Sequence, residues 1–586
     1  MFKLSVKGDL KDIERIAEEK AIINAYKHGK ARVGAVVGKV IAEAPELRSR
    51  IKEVVEIVRK KVEWVNSLSR EEIERRFSEI GKEERKKEER KWPPLVNAEK
   101  YDKIVTRMAP EPNGYPTIGH AKGLLVPFIY ARMYRGEFHL RFDDTNPRVE
   151  RLEYYEIIKE DFQRLLDAAG KVLGISNTKW DAEKRHSDDI PLMQELAEKL
   201  IREGRAYVCT CNRKILRKNR REGVECKCRS RSVEENLELW DKMKNEFREG
   251  EAHLRLKTDM KHPNPTMRDP GIFRIIEAPH PVHGDKYRVY PTYDFAISIE
   301  DAITGVTHAF RSKEFEPHVE VQKTILRWLG LRQYEMIQFG RLSVEGVQLS
   351  KRYIRPLIEA GLISSWEDPR LPTLRGLFNR GITPEALVML IYEIGPSKVD
   401  STVKIAKIES YNRKVLDPIA PRYMFVADPI KMVIENAPEE IEVKIPVHPD
   451  FPERGYRKLK IKSSNGVVTV YISMSDFNKF KVGGNWRLKD FCNVKIKSVM
   501  PDMVRAEYLE EKNLKVPIIQ WVWDESKIAV KLVKPETTYS LRIIGGYGER
   551  DMLKLHRGDI VQLIRVGFAR VVNVGKDRIK MVLSHS

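Results

Sequence analysis

The stretch from Tyr101 to Phe142 constrains the fold most. A short β-branched strand, Lys103–Thr106, runs into a proline- and glycine-bearing loop, Ala109–Tyr115, then a helical run, Ile118–Met133, then a second strand, Phe138–Phe142. Strand, loop, helix, strand is the unit of a parallel α/β sheet, because a parallel connection has to cross one face of the sheet. Pro127 removes one backbone donor and predicts a kink in the helix. A phosphate chain can approach such a loop. Gly119 has no Cβ, the first helical turn offers N–H groups, and the aligned peptides leave partial positive charge there. Imidazole and ammonium groups in the same string could meet charge that develops on a transferring phosphoryl centre.

A chain of 586 residues is too long for one core and predicts several domains. Residues 1–98 read as a helical extension. Ile51, Val54, Val55, Ile57, Val58 and Val62 recur near helical spacing, and the mixed-sign run Lys82–Lys91 reads as a solvated helix face. Trp92-Pro93-Pro94 ends this segment. The α/β pattern then occupies 99–345, interrupted at 205–290 by an insertion, with strands expected at Val289–Ile299, Val306–Phe310 and Glu335–Phe339. Residues 346–415 read as a helical connector. From 416 to 586 many short strands separated by turns predict β-barrels.

The formal net charge is +21, from 107 Lys and Arg against 86 Asp and Glu. Such an excess fits a polyanionic partner, nucleic acid or an anionic surface, because neutralised phosphates release their counterions. One third of residues are charged, a trait of proteins from hot environments. No apolar run reaches ~18 residues and the N-terminus lacks a secretory pattern, so a cytoplasmic protein with no membrane span is expected. Four of the five cysteines, Cys209, Cys211, Cys226 and Cys228, form two C-x-C pairs. Four thiolates so spaced can close a tetrahedral zinc site, and the alternative is four reduced cysteines in a basic loop.

A second candidate element is Gly346-Val-Gln-Leu-Ser-Lys351-Arg352, which follows Arg341-Leu342. A mobile loop bearing Lys can close on a pyrophosphate leaving group and neutralise it.

These strings together resemble one family. Pro110-Glu-Pro-Asn-Gly-Tyr-Pro-Thr-Ile-Gly-His-Ala-Lys122 resembles the "HIGH" element of class I aminoacyl-tRNA synthetases, in the version of the archaeal and eukaryotic glutamyl/glutaminyl group. Leu140-Arg-Phe-Asp-Asp-Thr-Asn-Pro147, Tyr290-Pro-Thr-Tyr-Asp-Phe295, Gly305-Val-Thr-His308, Lys313-Glu-Phe315, Trp366-Glu-Asp-Pro-Arg370, Gly381-Ile-Thr-Pro-Glu385 and Asn412-Arg-Lys-Val-Leu-Asp417 are similar to the same group, in the same order. Leu349-Ser350-Lys351-Arg352 resembles its "KMSKS" loop. The likeness runs from about residue 101 to the end. One departure stands out, since Thr117 replaces the usual first histidine.

The resemblance implies a Rossmann-type catalytic core with an inserted acceptor-binding domain, a helical connector and C-terminal anticodon-binding β-barrels. It implies activation of L-glutamate by ATP with Mg²⁺ and transfer to tRNA(Glu), with tRNA(Gln) open as a further acceptor. Glutaminyl-tRNA synthetase and a non-catalytic tRNA-binding relative are the rival readings. Thr117, His120, Ser350 and Lys351 are the implied catalytic residues. Pro110, Glu111, Pro112, Asn113, Gly114, Ile118, Gly119, Ala121, Lys122, Gly123, Ser312, Arg341, Leu342 and Leu349 would hold ATP. Asp144 and Tyr293 would receive the α-amino group of the amino acid, Arg107 would meet one of its carboxylates, and Arg311 would face the side-chain carboxylate. A zinc ion on the four cysteines is implied for the insertion. Trp521, Trp523 and Tyr547 are candidates for stacking anticodon bases or for barrel core. The N-terminal extension is expected to dock a partner or support tRNA affinity.

Overall fold

The computed structural model describes residues 10–43, 50–87, 92–345, 351–511 and 513–586. They fall into two units, Met1–Pro93 and Pro94–Ser586. The first holds the helices Leu10–His28, Val33–Glu43, Ile51–Ser67 and Arg70–Lys87. On Ile51–Ser67 the buried positions are Val54, Val58, Val62 and Val65, one stripe at 3.6-residue spacing. They pack against Ile13, Ile16, Ala17, Ala21, Val36 and Val40. Ile51 lies outside that stripe and is exposed. The expected solvated face at Lys82–Lys91 falls outside the described side chains.

In the second unit, strands Val105–Met108, Glu137–Phe142 and Ala182–Arg185 form a parallel sheet in that order. A further parallel pair, His308–Ser312 with Glu335–Phe339, lies beside the first strand. There the Thr307 N–H donates to the Val105 carbonyl at 2.9 Å and the Val105 N–H donates to Thr307 Oγ1 at 2.9 Å. The helix Ile118–Met133 crosses the sheet, runs through Pro127 without a break and is buried along most of its length. The Thr106 hydroxyl donates to the Pro127 carbonyl at 2.8 Å, which pins that turn to the sheet.

One expectation is corrected here. The segment expected as a strand over 289–299 is a strand only at Val289–Pro291, and Tyr293–Ile303 is a helix that begins after Thr292. Its run of apolar residues reads equally as strand or buried helix, and burial on nearly all sides decides for the helix.

Between the parallel strands, Ala206–Cys209, His253–Leu256, Gly271–Ile275 and Val289–Pro291 form an antiparallel sheet in sequence order. The helices Leu374–Arg380, Pro384–Ile394 and Ile405–Leu416 follow the parallel pair in the chain. They are stitched to the first loop, because the Ile118 N–H donates to the Pro372 carbonyl and the Leu374 N–H to the Pro116 carbonyl.

The C-terminal strands make two seven-stranded sheets and a separate hairpin, Glu440–Pro446 with Tyr456–Lys462. One sheet has Arg422–Tyr423 at one edge and Phe425–Ala427 at the other. These edges are adjacent in the chain, so the sheet must curl until its ends meet. The other has Ile518–Ile519 and Val522–Trp523 at its edges, and the same argument closes it. Trp521 is buried in the latter core and its indole N–H donates to the Lys489 carbonyl at 2.8 Å, so it is core and not a stacking surface. Trp523 and Tyr547 are half-buried, with Tyr547 edge-on to Tyr471 at 4.8 Å.

Candidate active site

The loop 109–117 leaves the first parallel strand and is held from the next. The Asp143 N–H donates to the Pro110 carbonyl at 3.0 Å, and the Arg151 N–H to the Pro112 carbonyl at 3.1 Å. The Asn113 amide donates to Glu111, and Gly114 takes a φ of +150°. Thr117 caps the helix with extended backbone. The Thr117 N–H donates to His120 Nδ1 at 3.1 Å, with Thr117 Oγ1 at 2.9 Å from the same atom. A ring nitrogen that accepts from an N–H carries no proton, so the proton of the neutral imidazole sits on Nε2. Thr117 therefore orients His120.

Within this string the side chains divide by face. Ile118, Ala121 and Lys122 are wholly buried, while Gly119 and His120 are half-buried. A Cβ on Gly119 would meet only Thr117 Oγ1, at 3.6 Å, so the first turn is open on that side. A Cβ on Gly123 would touch Met108 at 3.4 Å, which marks close packing of helix on strand.

Lys122 departs from its expected place in an ATP site. It is 0% exposed, and its ammonium donates to the Gly340 carbonyl at 2.6 Å and lies 5.4 Å from the Phe339 ring. Burial lowers its pKa to about 8. The side chain is a brace between the helix and the strand Glu335–Phe339, spent on a backbone carbonyl.

The amino-acid end is built around Asp301. Arg107 donates to it twice, Nε to Oδ1 and Nη2 to Oδ2, both at 2.9 Å. Arg141 donates from Nη2 to Oδ1 at 2.5 Å, and Arg311 from Nη2 to Oδ2 at 2.8 Å. Asp301 is 0% exposed, and Arg107, Arg141 and Arg311 are 4%, 1% and 4% exposed. Three buried cations therefore share one buried anion. Burial alone would raise the Asp301 carboxyl, but the Arg107 and Arg141 guanidinium groups, with Arg311, hold it well below the ordinary carboxylate range. Burial works against the Arg311 charge, yet the Tyr293, Tyr334 and Asp301 oxygens raise its pKa.

Arg107 spends its remaining nitrogen on the Phe310 carbonyl at 3.3 Å. Arg311 is different. Its Nη2 also reaches Tyr334 Oη at 3.2 Å, but its Nε and Nη1 are buried and have no hydrogen-bond partner among the described residues. Unpaired buried donors on a cation are costly unless a ligand accepts from them.

Asp144 departs from its expected role as well. It is 0% exposed; Oδ1 accepts from the Ser187 N–H at 2.9 Å, and Oδ2 accepts from Ser187 Oγ and Tyr155 Oη, both at 2.8 Å. Burial raises its carboxyl to about 7. With no exposed surface and three of about four acceptor positions taken, this carboxyl has little to offer an ammonium group. The neighbouring Asp143 is half-buried and accepts from His186 Nδ1 at 3.1 Å. Arg141 Nε donates to His186 Nε2 at 2.9 Å, which fixes that tautomer. A buried chain thus runs from Arg311 through Asp301, Arg141 and His186 to Asp143. Tyr293 is half-buried, with its ring 5.0 Å from that of Phe315; burial raises its hydroxyl pKa, and Arg311, Arg107 and Asp143 all act on it.

On the opposite side of the loop, Leu342 is buried in a parallel pair with Ser401–Val403. Arg341 is exposed and ion-paired with Glu314, and its N–H donates to Asp400 at 2.8 Å. Ser312 Oγ is buried without a partner among the described residues. Leu349 and Ser350 lie outside the described residues. Lys351 opens the helix Lys351–Glu359, and its side chain is likewise outside them.

Residues 103–418 match the family model for the catalytic domain of class I tRNA synthetases (E and Q). The chain belongs to this family. Residues 420–512 and 518–572 match the synthetases' two anticodon-binding domain models. The glutamate–tRNA ligase of Korarchaeum cryptofilum is 54% identical over 578 residues, covering 98% of this chain and all of that protein. That of Pyrococcus furiosus is 44% identical and that of Sulfurisphaera tokodaii 40%, each over 98% of this chain and all of the relative. Among the described residues of this synthetase no helix is long and apolar enough to cross a membrane.

In the synthetase's antiparallel insertion, the ligand atoms of Cys209, Cys211, Cys226 and Cys228 all lie within 4.8 Å of one another. The Cys209–Cys226 and Cys211–Cys228 sulfurs are 3.7 and 3.8 Å apart. A tetrahedron with metal–sulfur bonds of about 2.3 Å has edges of about 3.8 Å, so the four thiols fit one zinc ion.

The resemblance did not single out Asp301, Arg141, His186, Asp143 or Tyr334. A signal existed for the first two. Glu300-Asp301 follows the largely apolar run Phe295–Ile299 of the helix Tyr293–Ile303, and Arg141 stands between Leu140 and Phe142 of the strand Glu137–Phe142. Charges buried on elements with no solvated face require partners.

Proposed function

We propose that this synthetase is a glutamate–tRNA ligase, joining L-glutamate to the 3′ end of tRNA(Glu) at the expense of ATP. The observation that carries the choice of glutamate is Arg311, a fully buried guanidinium with two unpartnered donors beside an excess of positive charge. A carboxylate oxygen can accept from either donor, whereas an amide would turn its own N–H groups toward a donor-only cation. The names of the full-length relatives support the same reading.

In this reading the loop 109–117 and the first turn from Thr117 to His120 meet the triphosphate, and Lys351 closes on the leaving pyrophosphate. Mg²⁺ accompanying ATP would supply charge neutralisation. Asp143 and Tyr293 receive the α-amino group, and Arg107 and Arg141 hold Asp301 in place. The substrate's α-carboxylate attacks the α-phosphorus and expels pyrophosphate, and a ribose hydroxyl of the tRNA end then takes the acyl group from the adenylate, releasing AMP. No protein nucleophile is needed, so catalysis is orientation plus charge stabilisation. The four cysteines hold one structural zinc in an insertion that guides the acceptor end, the barrels receive the anticodon arm, and the N-terminal unit is a separate appendage. Charging of tRNA(Glu) and tRNA(Gln) transcripts with glutamate and with glutamine tests the reading. Glutamate on tRNA(Glu) is the expected product, and a preference for glutamine overturns it.

A further inference from the structure

Arg255 lies against the cysteine cluster in a way that the cluster's own geometry does not require. It sits on the strand His253–Leu256, directly opposite Tyr207, with Cys209 opposite His253 in the same register. Side chains two apart share a face of a strand, so Tyr207, Cys209, His253 and Arg255 form one surface. Arg255 is 2% exposed, and its guanidinium lies 5.6 Å from the Tyr207 ring centroid. Nε donates to the Asp269 carbonyl at 2.8 Å, and Nη1 reaches Cys209 Sγ at 3.9 Å. Nη2 is buried with no hydrogen-bond partner among the described residues.

The carboxylate buried here, Asp269, is already occupied. Its Oδ1 accepts from the Thr258 N–H at 2.8 Å, and its Oδ2 accepts from Tyr207 Oη at 2.8 Å and Arg229 Nε at 3.1 Å. Asp269 holds a φ of +41°, a conformation that costs a non-glycine residue and persists only where its surroundings fix it. Arg231 stands beside the same cysteines, donating to the Val208 carbonyl and to Thr210. Cations therefore outnumber buried anions around the knuckle. Four thiolates about a divalent ion carry a net charge of minus two, and that charge is the missing counterpart. A buried cation at hydrogen-bond reach of a ligand sulfur stabilises the thiolate and lowers the cost of burying the charged centre.

We propose that Arg255 is the counter-cation of the four-cysteine centre, a positioning residue that sets how tightly the thiolates hold a divalent metal. The inference rests on the zinc reading of the cysteines given above. Arg255→Met keeps an unbranched apolar stem and removes the charge; Arg255→Lys restores the charge without the planar fork. The full-length chain is purified with zinc, the bound metal is counted by elemental analysis, and its transfer to a chromophoric chelator is timed. Wild type is expected to hold one zinc. Arg255→Met should bind it at least about tenfold more weakly, in the range seen for outer-shell partners of metal ligands, with Arg255→Lys between the two. The gap in melting temperature between zinc-loaded and zinc-stripped protein should also shrink in Arg255→Met, which a purely packing role would leave unchanged. Should Arg255→Met not fold, Arg255→Lys carries the test. Zinc affinity equal to wild type in the folded variant overturns the proposal, while a wild type that binds no zinc overturns the reading of the cysteines themselves.

Discussion

Arg311→Met removes the guanidinium while filling most of its volume. The cost to the fold is bounded by what Arg311 holds, one hydrogen bond to Asp301 and one to Tyr334. Asp301 keeps three bonds from Arg107 and Arg141, so its charge stays paired. The cost to the substrate is larger. Truncating one partner of a buried, hydrogen-bonded charge pair costs roughly 2–5 kcal/mol. The pocket must open to admit substrate, which favours the lower end, and about 2 kcal/mol corresponds to a roughly 30-fold loss in glutamate kcat/KM. Glutamine has no charge to lose, so its kcat/KM should change by less than about threefold. Aminoacylation of tRNA(Glu) at varied amino acid, with glutamate and with glutamine, reads both numbers. An unchanged glutamate-to-glutamine ratio, whether both rates hold or both collapse together, refutes the argument that Arg311 reads the side-chain carboxylate.

Further outcomes follow from the site and from the division into units. Lys122→Met should leave the KM for ATP within about twofold, because the ammonium faces Gly340; a tenfold rise would return this side chain to the nucleotide. Asp143→Asn should raise the glutamate KM by about tenfold, whereas Asp144→Asn should act on stability and leave that KM nearly unchanged. Burial holds the Asp144 carboxyl at about 7 against an ordinary 3.8. The folded state therefore keeps a proton that the unfolded chain releases, and this contribution to stability is lost as pH rises from about 4 through 7; in urea titrations across that range Asp144→Asn should flatten the slope. Deleting residues 1–93 removes a unit with its own core and should leave the glutamate KM within about twofold, and insoluble or inactive 94–586 would show that the appendage supports the rest.

What was legible in the sequence was whatever a local pattern dictates. The strand–loop–helix at 105–133 is written in spacing, and the four cysteines announce themselves by type. The barrels could be anticipated from many short strands, but their closure could not, since it depends on the chain stepping from one sheet edge to the other across 423–425 and 519–522. The site failed to show where direction matters more than position. Lys122 falls in a nucleotide-like string, yet residue 122 of the helix faces the strand Glu335–Phe339, and a step of two residues from His120, about 200° around the helix axis, turns the ammonium away from the imidazole's side. Asp143 and Asp144 are neighbours in the chain, yet their side chains take different partners, one His186 and one the Ser187 anchor. No motif separates two adjacent aspartates of the same kind. The decision belongs to the partners that the fold brings up to each, and those become readable only once the surrounding elements are placed.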